Sequence, residues 1–180
     1  MNVFLLIASI LWYTVVPAPV ETDDEIRWSQ RSELGFSDFK GEVPSNTPWA
    51  ALTSSFIYFT YSTTNGKIST IKVYASFKKK ESWMKTNRDD VLAHEQLHFA
   101  ITEYFARKLY SDAQQLKQRS GNISPAANAL FQSINSDCDK VQQDYDDETD
   151  HGVNAEAQDK WKKKVALMLK DFEAYPEITD

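Results

Sequence analysis

Cysteine is almost missing from this chain of 180 residues, where Cys138 stands alone. One cysteine closes no intrachain disulfide and builds no cysteine-based zinc finger. Its place between Ile134 and Val141 on an apolar stripe marks it as a small buried hydrophobe rather than a nucleophile. Glycine is scarce as well, at five residues, and no Gly-rich phosphate loop is present. Dinucleotide and Walker-type sites are therefore excluded. Positive charge is in deficit, with 20 Lys and Arg against 26 Asp and Glu for a net charge of −6. A chain with that balance has no field to gather phosphates, which excludes nucleic acid as a partner. Histidine is scarce too, at three residues, and where those three fall is the most informative feature of the sequence.

Apolar residues are not lacking. The chain is 42% hydrophobic and 13% aromatic, enough for a core and of a length that suits one domain. Residues 1–20 carry no charged side chain, and 3–16 form a nearly unbroken apolar run. Fourteen residues in a helix cover about 21 Å, short of the roughly 30 Å hydrocarbon layer. The run reads as a signal peptide, with residues 21–180 as a single exported domain, secreted or periplasmic and without a stable membrane span once the signal is removed.

Residues 21–48 are polar, punctuated by Trp28, Leu34, Phe36 and Phe39, and read as an extended lead-in with one or two short strands. Residues 50–63 are rich in Phe, Tyr, Ile and Thr, which favour strands. Thr64-Asn65-Gly66-Lys67 supplies a tight hairpin turn. The return run alternates, with Ile71, Val73, Ala75 and Phe77 on one face and Lys72, Tyr74, Ser76 and Lys78 on the other. A helix is expected from a cap at Asn87 to about Arg119, stopped by Ser120-Gly121-Asn122. A second carries Leu130, Ile134, Cys138, Val141 and Tyr145 along one face and closes at Gly152. A third runs from about Asn154 to Ala174, with Trp161, Val165, Met168, Leu169 and Phe172 inward. Trp83 reads as packing, and the lysine runs at 78–80 and 162–164 as solvated faces. The fold class is α+β, a small antiparallel sheet followed by three helices.

His94-Glu95-Gln96-Leu97-His98 is an HExxH motif within the first long helix. Residues i and i+4 lie about 40° apart around a helix, so both imidazoles project from one face and can grip one metal ion. Glu95 lies beside the metal, where it can take a proton from bound water. A catalytic zinc needs a third protein ligand. His151 is the only histidine outside the motif and the first choice. Glu148, which continues the apolar stripe of the second helix, competes with it, followed by Asp147 and Asp150. Glu103 is rejected, being about 180° from His94 on the same helix. Tyr145 is a further catalytic candidate, as a phenol donating to the oxyanion of a tetrahedral intermediate.

These residues resemble the domain-of-unknown-function 922 family of predicted secreted zinc-dependent proteases. The resemblance is carried by Leu34-Gly35-Phe36-Ser37-Asp38-Phe39-Lys40-Gly41, Ser82-Trp83 and Ala93-His94-Glu95-Gln96-Leu97-His98-Phe99. It continues through Tyr145-Asp146, Glu148-Thr149, His151-Gly152, Gln158 and Trp161, spanning roughly residues 28–169. Gly35 departs from the pattern, outside the proposed site. The resemblance implies a zinc peptidase.

The expectation is thus a zincin-like α+β domain. Zinc is held by His94, His98 and His151, with Glu95 as general base, acting on a peptide or protein substrate. A substrate chain could add to the strand of Lys72 and Tyr74 if that strand is a sheet edge. Two rivals stand beside it, a zinc hydrolase of a non-peptide envelope substrate and a non-catalytic envelope protein with a structural zinc.

Overall fold

The computed structural model describes residues 22–29 and 31–172. The expected signal peptide lies outside the described residues.

The chain is α+β. Its strands are β1 (Glu25–Arg27), β2 (Ala51–Leu52), β3 (Ser55–Thr64), β4 (Lys67–Lys78) and β5 (Trp83–Met84). The helices follow as α1 (Asp89–Gln114), α2 (Ser124–Thr149) and α3 (Ala155–Lys170). The main sheet is antiparallel in the order β1-β4-β3, and β2 pairs with β5 in a second, two-stranded sheet. Asn65 and Gly66 join β3 to β4 with φ of 53° and 73°. This is the left-handed pair that a tight hairpin turn requires and that an Asn-Gly sequence supplies cheaply. The alternation of β4 holds: Ile71, Val73, Ala75 and Phe77 are all buried.

That apolar face meets α1, which packs against β4 on one side and against α2 and α3 on the other. A helix sandwiched in this way is buried nearly all round rather than along one stripe, and Leu97, Phe99, Ile101, Phe105 and Leu109 all lie in the core. Trp83 is buried as expected.

Three local expectations are corrected. Asn87 does not cap α1; the N-cap is Arg88, whose side chain makes no cap hydrogen bond and instead pairs with Asp90. The acids Asp89 and Asp90 in the first turn compensate the helix dipole without a side-chain cap. Lys79 is not on a solvated face: it is buried and donates from Nζ to the Thr22 carbonyl at 3.0 Å. Finally, β4 is the middle strand, so Lys72 and Tyr74 are not on a sheet edge. The edge is β3.

Glu103, rejected as a ligand, is 4% exposed and accepts from Arg107 Nε at 2.7 Å. Burial pushes its carboxyl up to about 7, against the pull of Arg107 and of the Ala75 backbone N–H. An acid whose folded pKa is raised above its unfolded value favours folding fully below about pH 4.5, and that contribution is lost as pH rises through 7. Glu103→Gln should escape this loss. Urea unfolding of the two proteins at pH 4.5 and pH 8 should show the variant gaining on the parent by on the order of 3 kcal/mol at the higher pH. A pH-independent difference would mean that the Glu103 carboxyl titrates alike in the folded and unfolded chains.

Candidate metal centre

The packing of α1 against α2 sets up the site. His94 faces Asp146 while His98 faces Gln142, so α2 recedes as α1 advances and the two helices run antiparallel. An i,i+4 pair on one helix is thereby matched by an i,i+4 pair on the other.

Three potential ligand atoms converge. The Nε2 atoms of His94 and His98 are 3.1 Å apart, and Asp146 Oδ1 lies 3.1 Å from the first and 3.0 Å from the second. Atoms bound at about 2.0–2.1 Å to a tetrahedral ion sit about 3.3 Å from one another, close to the edges of this triangle. Among the described residues it is the one such group of three metal-binding side chains. The His94 ring is almost fully buried and meets the His98 ring nearly edge-on, at 87°.

Outer partners fix both imidazoles. His98 Nδ1 is 2.6 Å from Gln142 Oε1, and Gln142 Nε2 donates to the His98 carbonyl at 3.0 Å and to Thr102 Oγ1 at 3.2 Å. Those two acceptors orient the amide, so its oxygen faces the ring and the proton sits on Nδ1. His94 Nδ1 lies 3.3 Å from Gln158 Oε1 on α3. With both Nδ1 atoms turned to glutamine oxygens, both Nε2 atoms point at Asp146; protonated, they donate to its carboxylate, and without those protons they present the lone pairs that metal ligation needs. Burial resists ionisation of Asp146, but hydrogen bonds from His94 and His98 outweigh it and hold the carboxyl well below the usual range. His98 moves the other way. Burial works against its cation, yet the Asp146 hydrogen bond and the fields of Glu95 and Asp146 raise its pKa.

Glu95 is 5% exposed and lines the same cavity as the triangle. Its Oε2 is fully buried without a hydrogen-bond partner among the described residues. A buried carboxylate oxygen left unpaired is costly, and the residues present thus fit a site completed by an ion and its water. The cavity holds about 670 Å³ and lies between β2–β3 and α2, with Ser55, Phe56 and Ile57 of the edge strand in its wall.

The remaining sequence candidates fall elsewhere. His151 lines the cavity, but its Nδ1 stays 3.7 Å from Asp146 Oδ1 and it is not a member of the triangle. Asp146 takes the third position instead. Glu148 is exposed and accepts from Trp161 Nε1 at 2.7 Å. Asp147 accepts from Gln143, and Asp150 is the exposed left-handed C-cap of α2. Tyr145 is fully buried; its hydroxyl donates to Gln158 Oε1 at 2.7 Å, with the His94 carbonyl 3.3 Å away. Its ring stacks on that of His94 at 4.7 Å, so it wedges that imidazole in place rather than offering a donor to the cavity. Sequence reasoning missed Asp146 and Gln142. The signal was the stripe Asn135, Asp139, Gln142 and Asp146, which steps by three and four along α2 beside the apolar one.

Fold and site together define an α+β domain with a His-Glu-His helix and a half-buried His-His-Asp cluster opening on a cavity. The chain belongs to the family described as bacterial protein of unknown function (DUF922), whose match covers residues 49–152, more than half of the chain. No curated protein and no solved structure matches it.

Proposed function

We propose that the protein is a zincin-like metallopeptidase that hydrolyses peptide bonds, with His94, His98 and Asp146 holding the ion. The observation that carries this reading is the unpaired Glu95 Oε2 beside a triangle of ligand atoms with 3.0–3.1 Å edges. Zinc bound there would lower the pKa of its water towards about 7 and polarise the scissile carbonyl.

The chain's own residues do the rest. Glu95 takes the proton from the attacking water and returns it to the leaving amine. Gln142 and Gln158 keep the imidazoles in register, and Tyr145 fills the space behind His94. The free edge of β3 runs along the cavity, and its backbone groups could pair with an extended substrate chain. A purely structural zinc calls for four closed protein ligands, whereas three ligand atoms on an open cavity favour chemistry. The uncharged apolar leader supports action outside the cytoplasm, and no helix among the described residues is long and apolar enough to cross a membrane.

Protein purified without chelator should carry about one zinc per chain. It should cleave unfolded casein, lose that activity with phenanthroline and regain it with zinc. Elemental analysis without a stoichiometric transition metal, or cleavage indifferent to chelator, would exclude the reading. Cleavage of an envelope amide but of no peptide would move the substrate and keep the chemistry.

A further inference from the structure

Addition of water to a carbonyl places negative charge on its oxygen, and preorganised N–H or O–H donors stabilise that charge. Among the side chains lining the cavity, the donors are nearly all engaged. Thr53 Oγ1 donates to the Glu95 carbonyl, Thr102 Oγ1 to the His98 carbonyl, and Ser55 pairs with Thr102. Gln142 spends both amide hydrogens, while Asn135 directs one of its two at the Phe131 carbonyl and Gln143 one of its two at Asp147. Among the described residues, no Lys or Arg lines the cavity. Trp49 and His151 remain, their rings 4.2 Å apart. Only His151 sits beside the triangle, its Nδ1 3.7 Å from Asp146 Oδ1 and its side chain 40% exposed.

The backbone under His151 is built to hold that ring still. Asp150, His151 and Gly152 are consecutively left-handed, with φ of 48°, 49° and 84°. Two such residues that are not glycine are strained and persist only where the surroundings over-determine them. Here they do. The His151 N–H donates to the Asp146 carbonyl at 2.9 Å and the Asn154 N–H to that of Thr149 at 2.8 Å. The Gly152 N–H donates to Thr149 Oγ1 at 3.2 Å. Gly152 lies so close to the His94 ring that a Cβ there would fall 2.9 Å from Cγ. The turn is thereby locked to the same imidazole that forms one corner of the triangle.

We propose that His151 is a catalytic residue, the donor of a hydrogen bond to the developing carbonyl oxyanion; this rests on the hydrolase reading above. In the step, the water oxygen bonds to the carbonyl carbon while the C=O π pair moves onto oxygen. The water proton passes to Glu95 and then to the amine nitrogen as the C–N bond breaks. His151 gives up no proton; its N–H hydrogen bond shortens as charge builds on the oxygen.

Zinc affinity by chelator competition, binding of a capped Gly–Leu phosphonamidate, and peptide kinetics test the assignment together. His151→Phe keeps an aromatic against Trp49 but removes the donor. It should hold zinc within about threefold of the parent, bind the phosphonamidate about 10–100-fold more weakly, and lose about 10²–10³-fold in kcat with little change in KM. His151→Gln, which restores an N–H, should recover part of both losses, and Trp49→Phe should cause neither. Zinc lost from His151→Phe as severely as from Asp146→Ala would make His151 a ligand and overturn the donor role. Unchanged phosphonamidate affinity, or the same loss on Trp49→Phe, would overturn it as well. A parent that binds neither zinc nor phosphonamidate and cleaves no peptide overturns the hydrolase reading with it. A parent that does all three, with His151→Phe indistinguishable from it, defeats the donor role alone.

Discussion

Glu95→Gln is expected to fold, to hold zinc like the parent and to hydrolyse peptide about 10²–10⁴-fold more slowly, the scale of a lost general base. The reasoning starts from one atom. Glu95 Oε2 is buried and unpartnered, which in a core carboxylate is a penalty that folding tolerates only for a purpose. Glutamine preserves volume and a hydrogen-bonding end group but cannot accept and return a proton. Thermal unfolding should therefore show the variant no less stable than the parent, because a buried charge has been removed at little cost in packing. Retained zinc with lost turnover supports the role. Near-parent turnover would show that the proton goes elsewhere, and lost zinc would make Glu95 a ligand.

Asp146→Ala should have the largest effect on metal. It removes the one carboxylate corner of the triangle and leaves two imidazoles that face each other across an emptied space. Zinc affinity should fall by more than the roughly 10–100-fold that loss of an outer partner costs, and Gln142→Ala and Gln158→Ala should fall within that smaller range. The ranking is the test. If Gln142→Ala weakened zinc as much as Asp146→Ala, the Gln142 amide would be a ligand rather than an orienting group. Without metal the variants differ in another way. Asp146 is held ionised by His94 and His98, so its loss also removes the partner that raises the His98 pKa.

Features that depend on near neighbours were legible in the sequence. The Asn65-Gly66 turn, the alternation of β4 and the helical face holding His94 and His98 are all set within a few residues. The helix stop near Gly121 is of the same kind, although the last turn before it, Gln115–Gln118, tightens to 3-10 geometry. The third corner of the triangle was not legible from residue type. Scarcity of histidine pointed to His151, but position along α2 decides which side chain meets α1. Asp146 is four residues after Gln142, matching the spacing of His94 and His98, whereas His151 lies beyond the helix in a left-handed turn. The Tyr145 hydroxyl was misjudged for a similar reason. Its fate depends on Gln158, thirteen residues away on a different helix. Likewise Glu148 lies near the apolar stripe in register, yet Trp161 of α3 is what it meets.

The outer partner of His94 carries a consequence for portability. Gln158 lies past residue 152, where the family match ends, and so does Trp161, which packs against Tyr145. On the other flank, the residues before 49 grip α1 directly. Gln96, inside the HExxH motif, accepts from the Leu34 N–H and donates to the Ser32 carbonyl, both at 2.7 Å. Arg31 and Asp38 brace that segment with two 2.8 Å contacts. A fragment cut to the matched stretch would therefore contain all three corners of the His94-His98-Asp146 triangle and still be a poor graft. His94 would lose the acceptor that sets its tautomer, Tyr145 would lose its hydroxyl partner, and the motif helix would lose its brace on the far side. The transplantable unit is the whole described body from β1 through α3.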